Sequence, residues 1–331
     1  MVDYSVFKNK VEKDFPDYMG KDFSYDFVKI LKINKEHDSI IVKDNTADEN
    51  QISPTVYIDD MYRDYCTYQD YNMVMMKYAD TVKKGFEEAS KINIAGLMSA
   101  GKVKENIIFR LINTEQNEKL LEDLPHRAIN DLSVIYSLVV KMDSPVFANT
   151  LIKNDFAEKI GLTEEELYEL AYENTKRMFP PTLKNMGEVL RELSPVKGKS
   201  EPENNFAYDS ISDLSMWVLS NEQGINGAVN MLYEEELYKI SEKLKENLYV
   251  LPSSIHEVIA VPESMGNPYI LSDMVSEVNR GVVTPEEILS YEVYHYDRGI
   301  RKLTCATDEK DKVISEGKIK ENANYFSNRT K

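Results

Sequence analysis

Ser254, His256 and Glu257 lie close together in the heptapeptide Leu251-Pro-Ser-Ser-Ile-His-Glu257. A hydroxyl, an imidazole and a carboxylate are the groups that nucleophilic hydrolysis needs. Ser254 and His256 are two residues apart. On an extended chain they share a face without the alignment a general base requires, and a third, orienting group has to come from another segment. His256-Glu257 also begins like a zinc-protease helix, but the second histidine would fall at position 260, where Ala260 stands. The competing reading is a structural corner: Pro252 fixes the turn, Ser253 and Ser254 cap backbone groups, and His256 is hydrogen-bonded.

The chain has four histidines: His37, His126, His256 and His295. None is paired at helical spacing with a second ligand type, so no metal site is expected. Gly96-Leu-Met-Ser-Ala-Gly101-Lys102 matches seven positions of a phosphate-binding loop. The eighth, whose hydroxyl would hold magnesium, is Val103. The segment also follows a helical pattern and opens a strand-like one, so it reads as a connector. Gly224-Ile-Asn-Gly227 precedes a helical pattern and could present free amides to an anion. The simpler reading is a tight turn that lets a helix approach a sheet closely. No cofactor is expected.

A different chemistry, recognition, is suggested by Tyr62, Tyr65 and Tyr68, interleaved with Asp59, Asp60, Asp64 and Asp70. Tyrosine offers a large ring and a hydroxyl and is favoured at binding surfaces. Spacing of three stripes one face of a tight helix, which can equally pack on a core.

The elements that position these groups follow from periodicity. Residues 2–15 read as an amphipathic helix through Tyr4, Phe7, Val11 and Phe15, ended by Pro16 and Gly20. A hairpin is expected over 27–33 and 39–43, a helix over 71–90, and strands over 107–112 and 132–140, the latter buried on both sides. Thr163-Glu164-Glu165-Glu166 is a capping box opening a helix that stops at Pro180-Pro181. Residues 194–207 are the linker candidate. Beyond it come strands at 216–219, 248–251 and 257–261, and helices at 226–244 and 272–280. Thr284-Pro-Glu-Glu287 should start a further helix. The expected class is α+β: mostly antiparallel sheets with helices packed on one face, in two halves. The expected domains are residues 1–198 and 207–297, followed by a charged tail over 298–331.

The chain of 331 residues is 42% apolar, enough for a substantial core. Its net charge is −17; residues 298–331 hold nine basic and five acidic residues, which leaves −21 on the rest. Such a body repels phosphate backbones and excludes ordinary nucleic-acid binding. Cys66 and Cys305 form neither a disulfide framework nor a metal knuckle. No apolar stretch is long enough for a membrane span, and the N-terminus lacks a signal-peptide core. A cytoplasmic setting is expected.

From Trp217 on, the chain shows Val218-Leu-Ser-Asn221, Asn226-Gly-Ala228, Leu251-Pro-Ser-Ser-Ile-His-Glu257, Met274-Val-Ser-Glu-Val-Asn279 and Val293-Tyr294. Upstream it shows Leu124-Pro125-His126, Asp131-Leu132, Val134-Ile135-Tyr136 and residues 163–174, with Tyr57 and Tyr62. These resemble an uncharacterised Firmicutes family of unknown function, found in gut clostridia and their mobile elements. The chain is also similar, more distantly, to an uncharacterised Bacillus-type family. The resemblance implies a bacterial setting and carries no catalytic residues.

Three functions are compatible with the sequence. The first is a non-enzymatic protein-binding module acting through Tyr62, Tyr65 and Tyr68. The second is an acidic inhibitor, or nucleic-acid mimic, of a defence or nucleic-acid-processing enzyme. The third is a hydrolase using Ser254, His256 and Glu257. The expected partner is a protein, with no direct contact to nucleic acid or membrane.

Overall fold

The computed structural model describes residues 2–46, 53–91, 96, 99–143, 146–193 and 215–307. The linker candidate at 194–207, and the tail from residue 308 on, lie outside the described residues. The fold is α+β with mostly antiparallel sheets. The chain divides into two compact units, Met1–Val103 with Val140–Asn149, and Lys104–Val139 with Thr150–Lys331.

The first unit opens with helix α1 (Tyr4–Met19), capped by the Asp3 side chain on the Ser5 amide. Phe7, Val11, Phe15 and Met19 are its buried stripe. Pro16 does not stop it. The helix runs one turn further, and the Gly20 N–H closes on the Pro16 carbonyl. Near a helix end the missing proline N–H removes one bond only, and burial of Met19 offsets that loss. Strands β1 (Phe23–Lys32) and β2 (Lys35–Asp44) form a hairpin longer than expected. It is closed at Asn34, which takes a left-handed φ of 61°. β3 (Thr55–Tyr57) adds antiparallel to β2 and runs directly into helix α2 (Ile58–Tyr68). Helix α3 (Tyr71–Ala89), capped by Asp70 on Met73 N–H, completes the layer. Ile40 and Val42 of β2 meet Met61 of α2 and Val74, Met75 and Val82 of α3 in one core.

After helix α4 (Ala100–Glu105), which replaces the strand-like start expected at Val103, the second unit begins with β4 (Ile107–Asn113). It pairs antiparallel with β6 (Leu132–Asp143), whose residues 132–139 are buried. β5 (His126–Ile129) follows the short helix α5 (Glu118–Leu121) and pairs on the other side of β6. β7 (Val146–Leu151) also pairs with β6. Helix α6 (Asn154–Ile160) leads into α7 (Glu164–Met178), which has the expected capping box and stops before the two prolines. α7 lies along β4: Phe109 meets the Tyr168 and Tyr172 rings, and Thr175 Oγ1 accepts from Phe109 N–H.

β8 (Pro181–Asn185) precedes helix α8 (Met186–Leu193) and starts a six-stranded antiparallel sheet. Its other strands are β9 (Trp217–Asn221), β10 (Leu248–Leu251), β11 (Val258–Pro262), β12 (Tyr294–Asp297) and β13 (Lys302–Cys305), in the order β13-β12-β10-β11-β9-β8. The sheet therefore draws strands from both sides of residues 198–207. Helix α9 (Glu234–Leu244) is shorter than the helix expected over 226–244. Gly227–Leu232 form a 3₁₀ turn, and Tyr233, whose ring is fully buried, turns the chain between them. Helix α10 (Pro268–Gly281) packs Leu271 and Val275 on Tyr249, Leu251 and Val261. Thr284 starts a single 3₁₀ turn and makes no side-chain cap. The chain is instead drawn out by Leu289 N–H to Ser253 O and Ser290 N–H to Pro252 O, both 3.0 Å.

Candidate functional site

The best-ordered constellation joins the 220–230 segment to the 251–257 corner. At the end of β9 the Asn221 side chain closes the next loop. Its Nδ2 donates to Ile225 O at 2.7 Å, while its Oδ1 accepts from Gln223 and Ile225 N–H. Gly227 then passes so close that an added Cβ would lie 2.4 Å from both His256 O and Ser220 Oγ. Only glycine fits. Ser220 Oγ donates to His256 O at 2.7 Å, and Ala228 N–H donates to Ile255 O.

The candidate catalytic residues take part in the same corner. Ser254 is buried, and its Oγ accepts from His256 backbone N–H at 3.0 Å, so it serves a turn and not the imidazole. Asn226 N–H donates to His256 Nδ1 at 3.3 Å, which assigns the ring proton to Nε2. That nitrogen stands 3.3 Å from Glu287 Oε1. Glu257 is exposed. Ser254 and His256 are close in space, but their polar atoms hold the corner and do not face each other as nucleophile and base. The glycines at 224 and 227 likewise shape a turn: Gly224 and Asn226 take φ of 64° and 52°.

Tyr62 and Tyr65 turn inward. The Tyr62 ring lies 5.2 Å from both Tyr4 and Phe7, Tyr65 stacks on Phe7 at 5.1 Å, and Tyr62 OH donates to Val2 O. Tyr68 is 55% exposed. The periodicity placed the three on a helix. Which face pointed outward depended on α1, which covers two of them.

The other histidines are placed separately. His37 is buried beside Asp59, Nδ1 to Oδ2 3.3 Å, within a cluster of Tyr4, Lys8, Asp38 and Asp59. Burial works against the Asp38 carboxylate, but hydrogen bonds from Lys8 and Tyr4 outweigh it and hold its pKa below the usual value. His126 Nδ1 lies 2.9 Å from Leu124 O, and His295 Nε2 lies 3.4 Å from Glu263. Among the described residues no three His, Cys, Asp or Glu side chains gather as metal ligands, and both cysteines are free thiols. Of the loop-like segment 96–102, residues 97 and 98 lie outside the described residues, and its end opens helix α4 at Ala100.

A cleft of about 770 Å³ opens between α9 and the ends of β11 and β12, lined by Tyr238, Glu242, Lys245, Asn247, Glu263 and Arg298. Its charges satisfy one another: Arg298 pairs with Glu242 at 2.5 Å, Lys245 with Glu242 at 3.2 Å, and Asn247 donates to Glu263 at 2.9 Å.

Two features escaped the sequence reading. The outer face of α10 presents Ile270, Met274 and Val278, with Val282 at its C-cap, 62%, 51%, 45% and 81% exposed. The signal was an apolar pattern covering both sides of one helix. Arg110, a single charge in the apolar strand β4, is the second; its Nε is closed to solvent and meets no acceptor.

The architecture defines an α+β protein of two compact units, mostly antiparallel, in which the His256 corner joins the 220–230 segment through hydrogen bonds. The chain belongs to the family of unknown function DUF5688, whose profile matches residues 4–298. No curated protein and no solved structure matches it. Among the described residues no helix is long and apolar enough to cross a membrane.

Proposed function

We propose that the protein is a non-enzymatic protein-binding module of a bacterial cytoplasm, docking an amphipathic helix of its partner along the outer face of α10. The observation that carries this reading is the stripe Ile270, Met274, Val278 and Val282 at four-residue spacing. Leu271 and Val275 already anchor the opposite side of the helix in the core, while the outer stripe stays 45% to 81% exposed. Contiguous apolar exposure of this kind marks an interaction surface, and apolar anchors at helical spacing suit helix-on-helix docking. Gly281 leaves room for close approach at one end. Exposed Asp273 and Glu277 flank the stripe; on a chain of net charge −17 they favour a partner helix with a basic flank. The closed Ser254–His256 corner supports a role without catalysis.

The test is crosslinking of the full-length chain in its host, followed by mass spectrometry, against a triple serine variant at Ile270, Met274 and Val278. The variant should keep its circular dichroism and melting temperature and lose the crosslinked partner at least about tenfold, given several anchors worth over 1 kcal/mol each. The captured segment should be helical with a basic flank. Tyr68→Ala should leave capture unchanged. Unchanged capture by the triple variant, or crosslinks to a second copy of this chain alone, defeats the reading.

A further inference from the structure

The cleft beside α9 holds more carboxylates than cations. Glu242, Glu246 and Glu263 line it, against Lys245 and Arg298. Both cations go to the same carboxylate. Arg298 Nε donates to Glu242 at 2.7 Å and Lys245 Nζ lies 3.2 Å from it. These bonds hold the Glu242 pKa below its usual value. Glu246 and Glu263 are held by neutral groups. Glu246 Oε2 accepts from Ser264 N–H at 3.1 Å, and Glu263 Oε2 accepts from Asn247 Nδ2 at 2.9 Å.

These bonds fix two like charges on adjoining segments of the cleft wall. The segments are tied again by Glu263 N–H to Asn247 O at 2.9 Å, and Asn247 Oδ1 accepts from Arg298 N–H at 3.0 Å. Each carboxylate uses one oxygen in this lattice. Beyond the other oxygen of Glu263, His295 Nε2 stands 3.4 Å away, closed to solvent and without a hydrogen-bond partner. Neighbouring carboxylates repel, and a shared cation relieves the repulsion. The remaining hydrogen-bonding capacity is therefore for accepting from a cation. Among the described residues no three His, Cys, Asp or Glu side chains gather as metal ligands, so the wall suits an organic cation better than a metal ion.

We propose that this cleft binds a linear aliphatic polyamine, with its ammonium groups on Glu246 and Glu263 and its methylenes along the half-buried Tyr238 ring. The volume of about 770 Å³ far exceeds a bare ion and falls within the range of small-molecule sites, roughly 300–1,000 Å³. An ammonium group donates three hydrogen bonds and accepts none, which matches oxygens offered by two residues. The aromatic ring gives the methylenes an apolar surface. The net charge of −17 draws polycations toward the protein. The inference is independent of the α10 docking face.

Calorimetric titration of the full-length chain tests it, with putrescine and spermidine as probes and butylamine, 1,4-butanediol and magnesium as comparators. Saturable one-to-one binding is expected, tightening from butylamine to putrescine to spermidine and weakening as salt is added. Butanediol should not bind. Glu246→Gln and Glu263→Gln keep the acceptor that each lattice bond uses, so both should retain the circular dichroism of the parent. Each should weaken spermidine binding by about tenfold or more, the worth of one charge-assisted hydrogen bond. Glu169→Gln, at an exposed position on α7, removes the same charge away from the cleft and should leave binding unchanged. Absence of saturable spermidine binding overturns the proposal. So does an equal loss in Glu169→Gln, which would mean diffuse attraction by the whole surface. Magnesium binding in place of spermidine overturns the ligand class. Unfolding of both cleft variants would mark the carboxylates as structural and overturn the site.

Discussion

At the scale of single residues, the corner around His256 depends on an absent side chain. Gly227 touches His256 O and Ser220 Oγ where a Cβ would stand 2.4 Å away, and these are backbone and hydrogen-bonded atoms that cannot swing aside. Gly227→Ala should therefore destabilise the second unit by about 2–4 kcal/mol, typical of severe overpacking against backbone. Gly281→Ala, with nothing within 4 Å of its Cβ, should change stability by about 1 kcal/mol or less. Urea unfolding of the two variants compares them directly. Acid sensitivity is also local. Burial works against the Glu164 carboxylate, but the Arg127 guanidinium and the Tyr136 hydroxyl outweigh it and hold its pKa below the usual value of 4.5. A carboxyl depressed in the folded state contributes stability above its unfolded pKa and loses it as pH falls through the folded one. Urea midpoints of the parent should fall as pH drops below about 4.5. Glu164→Gln should show a shallower fall over that window and lower stability at neutral pH.

At the scale of elements, legibility followed locality. The capping box at Thr163 was visible because its chemistry lies within four residues, and Thr163 accepts from Glu166 N–H while the Glu166 carboxylate reaches back to Thr163. Thr163→Ala should cost about 1 kcal/mol, as for other N-caps, measurable as a lower melting temperature with an unchanged fold. The stripe of α1 was visible for the same reason. Thr284-Pro-Glu-Glu287 carries an equally good local signal, yet the backbone bonds to Pro252 and Ser253 win and only a 3₁₀ turn forms. Long-range ladder bonds override a short capping preference. The tyrosines of α2 needed knowledge of α1 to be oriented. The destination of Arg110 depended on strand register, which hydrophobic alternation suggests but does not assign across a sheet. The Ser254–His256 pair was legible as a cluster. That its atoms are committed to Asn226, Glu287 and the backbone was not, because those partners lie about 30 residues away.

At the scale of the whole molecule, each of the two compact units holds a hydrophobic cluster of its own among the described residues. Scanning calorimetry should resolve two transitions. Phe15→Ala, which empties a fully buried site in the first unit, should lower one of them, by about 3–5 kcal/mol in stability. Gly227→Ala should lower the other. A single transition shifted by both variants would mean that the units unfold as one. The chain does not pass through the units in sequence. It leaves the first at residue 103, returns for residues 140–149, and leaves again, with Lys141 held to Glu88 of α3 at 3.0 Å. A ribosome making this protein thus cannot finish the amino-terminal body when its first hundred residues emerge. That body waits for a ten-residue arm delivered through β6, so the two bodies mature in an interleaved order, and a fragment cut at residue 103 is born without one of its own pieces.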